Sequence, residues 1–112
     1  MRQVVLDTSF ILTAVRQKLD FFERLEHEGF QVFVPDQVLD ELMGLGAQLA
    51  LNILGKHKFR LVKLPGKDAD AAIIAFAKKN PQAIVATLDA GLQKKIKNRK
   101  MIIRQRKKIE II

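Results

Sequence analysis

Four acids carry the chemistry open to this 112-residue sequence: Asp7, Glu41, Asp70 and Asp89. Asp7 ends the apolar run Val4-Val5-Leu6, and Asp89 closely follows the run Ala83 to Thr87. Glu41 and Asp70 lie in helical stretches that follow two further strand-like runs. Parallel strands share one carboxyl edge, so the four acids are expected on the same side of one sheet. Like charges gathered at an edge repel, and a divalent cation is the usual compensation. An all-oxygen donor set suits a hard ion, Mg²⁺ or Mn²⁺, rather than zinc.

Helix geometry separates these acids from their neighbours. Ile73, Ile74, Phe76 and Ala77 define the inner face of a helix expected over Ala69 to Lys79, and Asp70 shares that face while Asp68 opposes it. A carboxylate aimed inward needs a cation or hydrogen-bond donors to meet it. Glu41 borders the stripe Val38, Leu39, Leu42 and Leu45, whereas Asp40 points away with Asp36, Gln37 and Met43. Each acid also has a plainer reading. Asp7 and Asp89 can cap helices, Asp70 can be a first-turn acid favoured by the helix dipole, and Glu41 can be a surface residue. Capping explains no convergence of the four.

Alternating strand and helix patterns must position these residues. The strand-like runs are Val4 to Leu6, Val32 to Val34 closed by Pro35, Leu61 to Leu64, Ala83 to Thr87, and Met101 to Ile103. Between them, helices are expected over Phe10 to Arg16, Phe21 to Glu28 behind the cap Asp20, Asp36 to about Leu45 with Asp36 as cap, Ala47 to Leu54, Ala69 to Lys79, and Ala90 to Lys97. Thr8 and Ser9 are placed to start the first helix. Gly44 and Gly46 mark a bend. The pattern predicts one α/β domain over residues 1–112: a three-layer α/β/α sandwich around a mostly parallel sheet of about five strands, with a basic tail from about residue 104. The apolar end Ile109 to Ile112 can pair with an edge.

Composition narrows the function classes. No apolar run approaches the ~18 residues of a membrane span, and the start lacks the form of a secretion signal, so the cytoplasm is the expected compartment and no membrane the expected surroundings. Without cysteine there is no disulfide framework, thiolate metal site or cysteine nucleophile. His27 and His57 stand away from the acids, no Gly-rich phosphate loop occurs, and no Ser-His-acid set is readable. The charge is unevenly placed: residues 1–55 carry 4 Lys+Arg against 8 Asp+Glu, and residues 56–112 carry 16 against 4. A basic half suggests a polyanion partner, although a solvated or heat-adapted surface would look the same. With no Tyr or Trp, contact with a nucleic-acid backbone is expected over base stacking.

The blocks Val5-Leu6-Asp7-Thr8-Ser9, Val34-Pro35 to Glu41-Leu42, Asp70-Ala71-Ala72-Ile73-Ile74 and Ala86-Thr87-Leu88-Asp89 resemble, in order and spacing, the PIN-domain ribonucleases. The resemblance implies that Asp7, Glu41, Asp70 and Asp89 are catalytic, metal-binding acids, supported by the hydroxyls of Thr8 or Ser9 and of Thr87. It implies divalent-metal-dependent cleavage of single-stranded or loop RNA, leaving 5′-phosphate and 3′-hydroxyl ends. Lys94, Lys95 and Lys97, and the tail residues Arg104, Arg106, Lys107 and Lys108, are then expected to bind RNA. The tail looks like that of the small-subunit ribosomal-RNA-processing branch, with a ribosomal precursor as partner; a toxin paired with an antitoxin would show the same acids. Family members commonly form homodimers, and Ile109 to Ile112 is suited to pairing. Gly91 departs from the acid or polar group that many members carry two residues after the fourth aspartate, which leaves one or two metal ions open. Two other classes stay open: a non-catalytic RNA-binding scaffold of the same fold, and a phosphorylated receiver-like regulator, against which the lone acid of the first block argues.

Overall fold

Val4, Val5 and Leu6 are all fully buried, and consecutive burial of this kind requires cover on both faces of a sheet. The computed structural model, which describes residues 2–105 and 107–112, places them in β1 (Arg2–Leu6) at the centre of that sheet. β1 pairs in parallel with β2 (Phe30–Pro35) on one side and β4 (Ile84–Ala86) on the other, with Val4 opposite both Val32 and Ile84. β3 (Arg60–Val62) extends the sheet beyond β2, and β5 (Lys100–Arg104) extends it beyond β4. A sixth strand, β6 (Lys108–Ile111), adds antiparallel to β5, giving the order β3-β2-β1-β4-β5-β6.

The helices are α1 (Thr8–Arg16), α2 (Phe21–His27), α3 (Asp36–Gly44), α4 (Gln48–Gly55), α5 (Ala69–Lys79) and α6 (Ala90–Lys95). Right-handed crossovers assign them to layers. The connections β1 to β2 and β2 to β3 step one way across the sheet, so α1 to α4 cover one face. Those from β3 to β4 and β4 to β5 step the other way, so α5 and α6 cover the opposite face. The order reverses between β1 and β4, and the crevice beyond the carboxyl ends at such a switch point is where open α/β sheets bind ligands.

The three-layer architecture stands as expected, with several local corrections. The described residues form six strands where about five were expected, because the apolar end closes a hairpin: Ile109 is buried and Ile111 packs against the core, so this segment completes the chain's own sheet. The residues read as a basic tail therefore belong to β5, β6 and the turn between them, except Arg106, which lies outside the described residues. Asp36 is the first residue of α3 rather than its cap, since the extended Pro35 occupies that position. Strand three is Arg60–Val62, ending before Leu64. Helix α6 stops at Lys95, and Ile96 turns extended to lead into β5, so Lys97 lies beyond the helix.

Candidate functional site

Asp7 follows the last residue of β1 and stays in line with it: φ and ψ are −93° and 156°, and its N–H donates to Ala86 O at 2.9 Å. It occupies the N-cap position of α1, yet its side chain caps nothing. Oδ2 instead accepts from Ser9 Oγ at 3.0 Å and from Thr87 Oγ1 at 2.7 Å. The residue is 4% exposed, so these bonds steady a buried carboxylate. The capping alternative for Asp7 fails because β4 delivers a buried hydroxyl across the switch point, eighty residues away in the chain. Oδ1 accepts no hydrogen bond from the described residues.

Helix α1 does begin at Thr8, as expected, but the hydroxyls of Thr8 and Ser9 do not cap it. Ser9 Oγ donates to Asp7 and accepts from Leu88 N at 3.0 Å. Thr87, fully buried, uses one oxygen twice, donating to Asp7 and accepting from Asp89 N at 3.1 Å. Thr8 Oγ1 is buried without a partner of full hydrogen-bond geometry among the described residues, but it faces the Glu41 carboxyl and favours its charged form. Thus the ends of β1 and β4 are laced together by side chains around Asp7.

Asp89 is exposed and does cap its helix: Oδ1 accepts from Gly91 N at 2.8 Å and from Leu92 N at 3.3 Å. Here the plainer reading holds, and it engages one oxygen of two. Asp70 lies in the first turn of α5, but Asp68 supplies that helix's cap by accepting from Ala71 N at 2.9 Å. Burial, then the charges of Asp7, Asp89 and Asp68, push the Asp70 carboxyl above its ordinary range, while Lys95 pulls it down. Burial and the Asp7 charge likewise raise Glu41, with a smaller push from Asp70; the Thr8 hydroxyl and the Ala69 N–H oppose the shift.

The structure therefore brings Asp7, Ser9 and Thr87 into direct contact and sets Glu41, Asp70 and Asp89 in a shared negative field around them. It does not gather three carboxylates into one shell: among the described residues no three His, Cys, Asp or Glu side chains stand close enough to hold one ion. Glu41 and Asp89 lie exposed on an open edge, where mutual repulsion favours separated side chains. Oxygen donors, a buried carboxylate with a free oxygen and two acids whose charge is disfavoured by burial and then by repulsion fit a hard divalent cation better than any softer metal.

Of the basic residues expected to bind RNA, Lys95, at the end of the helix that Asp89 caps, exerts a small favourable charge effect on Asp70. Lys94 and Lys97 are exposed nearby in the chain. Arg104 is held by Glu110 at 2.7 Å, while Lys107 and Lys108 are exposed at the hairpin. His57 stacks on Phe22 and its Nδ1 lies 3.3 Å from Glu26 Oε1, so it serves packing.

Sequence reasoning missed three amides that position the site. Gln37 Nε2 donates to Leu64 O at 2.8 Å and Gly66 O at 3.1 Å, strapping α3 to the loop that feeds α5. Gln93 Nε2 donates to Thr87 O at 2.9 Å. Asn98, buried, donates to the carbonyls of Ala77, Asn80 and Ala83. Only Gln93, one turn beyond Asp89, carried a local signal.

Comparison with known proteins bears on this arrangement. A family model described as a PIN like domain matches residues 4–108. The protein named Ribonuclease VapC4, from Methanocaldococcus jannaschii, is 32% identical over 99% of this chain and 97% of its own length. A solved structure described as that of the PIN domain endonuclease Utp24 superposes with a TM-score of 0.85 at 28% identity, covering 97% of this chain and 90% of the other.

Proposed function

The chain belongs to the PIN-domain ribonuclease family, and from that premise we propose that it is an endoribonuclease that hydrolyses RNA phosphodiester bonds with Mg²⁺ or Mn²⁺ held by Asp7, Glu41, Asp70 and Asp89. The observation that carries the proposal is Asp7: a buried carboxylate at the topological switch point, one oxygen saturated by Ser9 and Thr87 and the other unengaged. Bound there, a divalent cation lowers the pKa of a coordinated water and neutralises charge on the phosphate. The chain's own residues do the rest. Ser9 and Thr87 fix the Asp7 carboxylate in one orientation, and the Thr87 bond to Asp89 N sets the backbone of the fourth acid against it. Glu41 and Asp70, held in an unfavourable field, prefer a cation beside them. Lys95, exposed at the end of α6, offers a positive charge to the RNA backbone on the α5–α6 face.

Substrate class and partners follow from the relatives' names and from the charge. Ribonuclease as a relative's name supports RNA, endonuclease as a structural neighbour's description supports internal cleavage, and the +12 balance of residues 56–112 supports a polyanion. The two roles implied by the resemblance, a toxin held by an antitoxin and a ribosomal-precursor maturation factor, use the same acids. No helix is long and apolar enough to cross a membrane among the described residues.

The test is cleavage of a fluorescent single-stranded RNA. Activity should appear with Mg²⁺ or Mn²⁺, vanish with chelator, and fall by about 10² or more in Asp7→Asn and Asp70→Asn, the scale on which removal of a key electrostatic group acts. If the parent binds RNA but cleaves none with or without divalent ions, the scaffold alternative replaces the catalytic one, and cleavage that neither ions nor these substitutions alter overturns the role of the acids.

A further inference from the structure

The C-terminal end of α5 and the segment after α6 enclose a cavity of about 320 Å³. Its walls include Ala77, Pro81 and Ile96, and its rim carries Lys78, Lys95 and Lys97. All three lysines are exposed and none is ion-paired among the described residues. Asn98 lines the same cavity and braces it, because its amide ties Ala77 and Asn80 at the end of α5 to Ala83 before β4. The walls are thus preformed, as ligand sites generally are, and the volume falls at the lower end of the range for small-ligand sites. Helices α5 and α6 both lead here from the acid edge: Ala77 lies seven residues along α5 from Asp70, and Lys95 ends the helix that Asp89 caps, about 10 Å along either axis.

We propose that this cavity is a nucleotide subsite, in which one nucleotide of a single-stranded RNA that also reaches the acids packs its base against Pro81 and the edge of Ile96 while Lys78, Lys95 and Lys97 hold the adjoining phosphates. The proposal rests on the ribonuclease reading for its ligand but concerns binding rather than chemistry. An apolar slot rimmed by three cations suits a nucleotide, whose apolar base faces and anionic backbone lie side by side. The α5–α6 face, which runs from Asp70 and Asp89 down to the cavity, supplies the path from the acid edge into the crevice. Lys78 is the discriminating residue, because nothing in the acid site needs it. Lys79, its neighbour on α5, has the same charge and exposure but does not line the cavity.

The experiment is equilibrium binding of a labelled ten-nucleotide single-stranded RNA without divalent ions, so that neither cleavage nor metal enters. Lys78→Glu should weaken binding about five- to tenfold, as expected when a cation beside a phosphate becomes an anion, and Lys79→Glu by less than about twofold. Lys78→Ala should also lower the slope of log K against log salt by about 0.7, the value for one contact with a single strand. An RNA carrying 4-thiouridine should crosslink to residues 77–81 or 95–98. Equal losses in Lys78→Glu and Lys79→Glu, or crosslinks confined to other segments, overturn the subsite. Either result leaves the cleavage test untouched, and failure of that test leaves these binding differences standing.

Discussion

Thr87 shows how much of the site depends on a single oxygen. Its hydroxyl donates to Asp7 Oδ2 and accepts from Asp89 N, so valine, equal in shape, would leave a buried carboxylate and a backbone donor each short of one bond. Unmet buried groups cost about 1–3 kcal/mol, and Thr87→Val should lower stability by that order in urea unfolding, whereas Thr87→Ser should keep most of both stability and cleavage. The raised carboxyls of Glu41 and Asp70 act in the opposite sense. A group whose pKa is higher folded than unfolded favours the fold when protonated. Its contribution is therefore lost as pH rises through the ordinary carboxylate range into the raised one, and stays lost above it. The metal-free protein should thus gain from these two groups on acidification from pH 7 toward about pH 5. Asp70→Asn should raise the metal-free melting midpoint at pH 7 by about 2–4 °C, the response of a domain this size to roughly 0.5 kcal/mol of relieved surface repulsion. Scanning calorimetry with and without the substitution checks the sign, and an unchanged or lowered midpoint would refute it.

The elements that aim these residues were legible to different degrees. Helix α5 begins and ends where its pattern says, because an alanine-rich stretch between Asp68 and Asn80-Pro81 is specified locally. Consecutive apolar residues announced β1, β2 and β4 for the same reason. The pairing of β6 with β5 was harder to read, since four residues after a basic run become a strand only once an edge stands beside them. The side chain of Asp7 was harder still: cap and ligand look alike until Thr87 arrives from the far end of the chain. Gly66 belongs to this class of concealed detail. Its φ is +125°, and a Cβ there would meet Ala71 Cβ at 2.7 Å, in the loop that Gln37 straps to α3 and that leads into Asp70. Gly66→Ala should destabilise by about 1–3 kcal/mol and reduce cleavage through displacement of α5. Gly55→Ala, at the end of α4 with open space around it, should be neutral or slightly stabilising. Denaturation midpoints for the pair separate backbone strain from a general cost of adding a methyl group.

Across the whole molecule, the basic half divides: Lys58, Arg60 and Arg99 lie near the amino ends of β1 and β2, whereas the β5–β6 hairpin reaches past the acid edge. β5 continues three residues beyond Met101, which lies level with Ala86 and Leu6, so its end stands about 10 Å past the strands that carry the site. β6 returns from there, and the hairpin thereby carries Arg104, Lys107 and Lys108 to the same side as Asp7 and Thr87. The three are not equivalent. Arg104 is committed to Glu110 at 2.7 Å, whereas Lys107 and Lys108 are exposed, with no ion pair among the described residues. RNA contact at this hairpin should therefore fall on the lysines. Replacing both with alanine should reduce the salt slope of single-stranded RNA binding by about 1.4, twice the value for one contact, with little dependence on base sequence. Arg104→Ala should change the slope by much less, because the parent arginine already has an anionic partner. Binding isotherms at several salt concentrations measure all three variants. A slope unmoved by the double lysine substitution would assign the hairpin's charge to solubility and leave Lys95 and the α5–α6 crevice as the principal route for the RNA backbone.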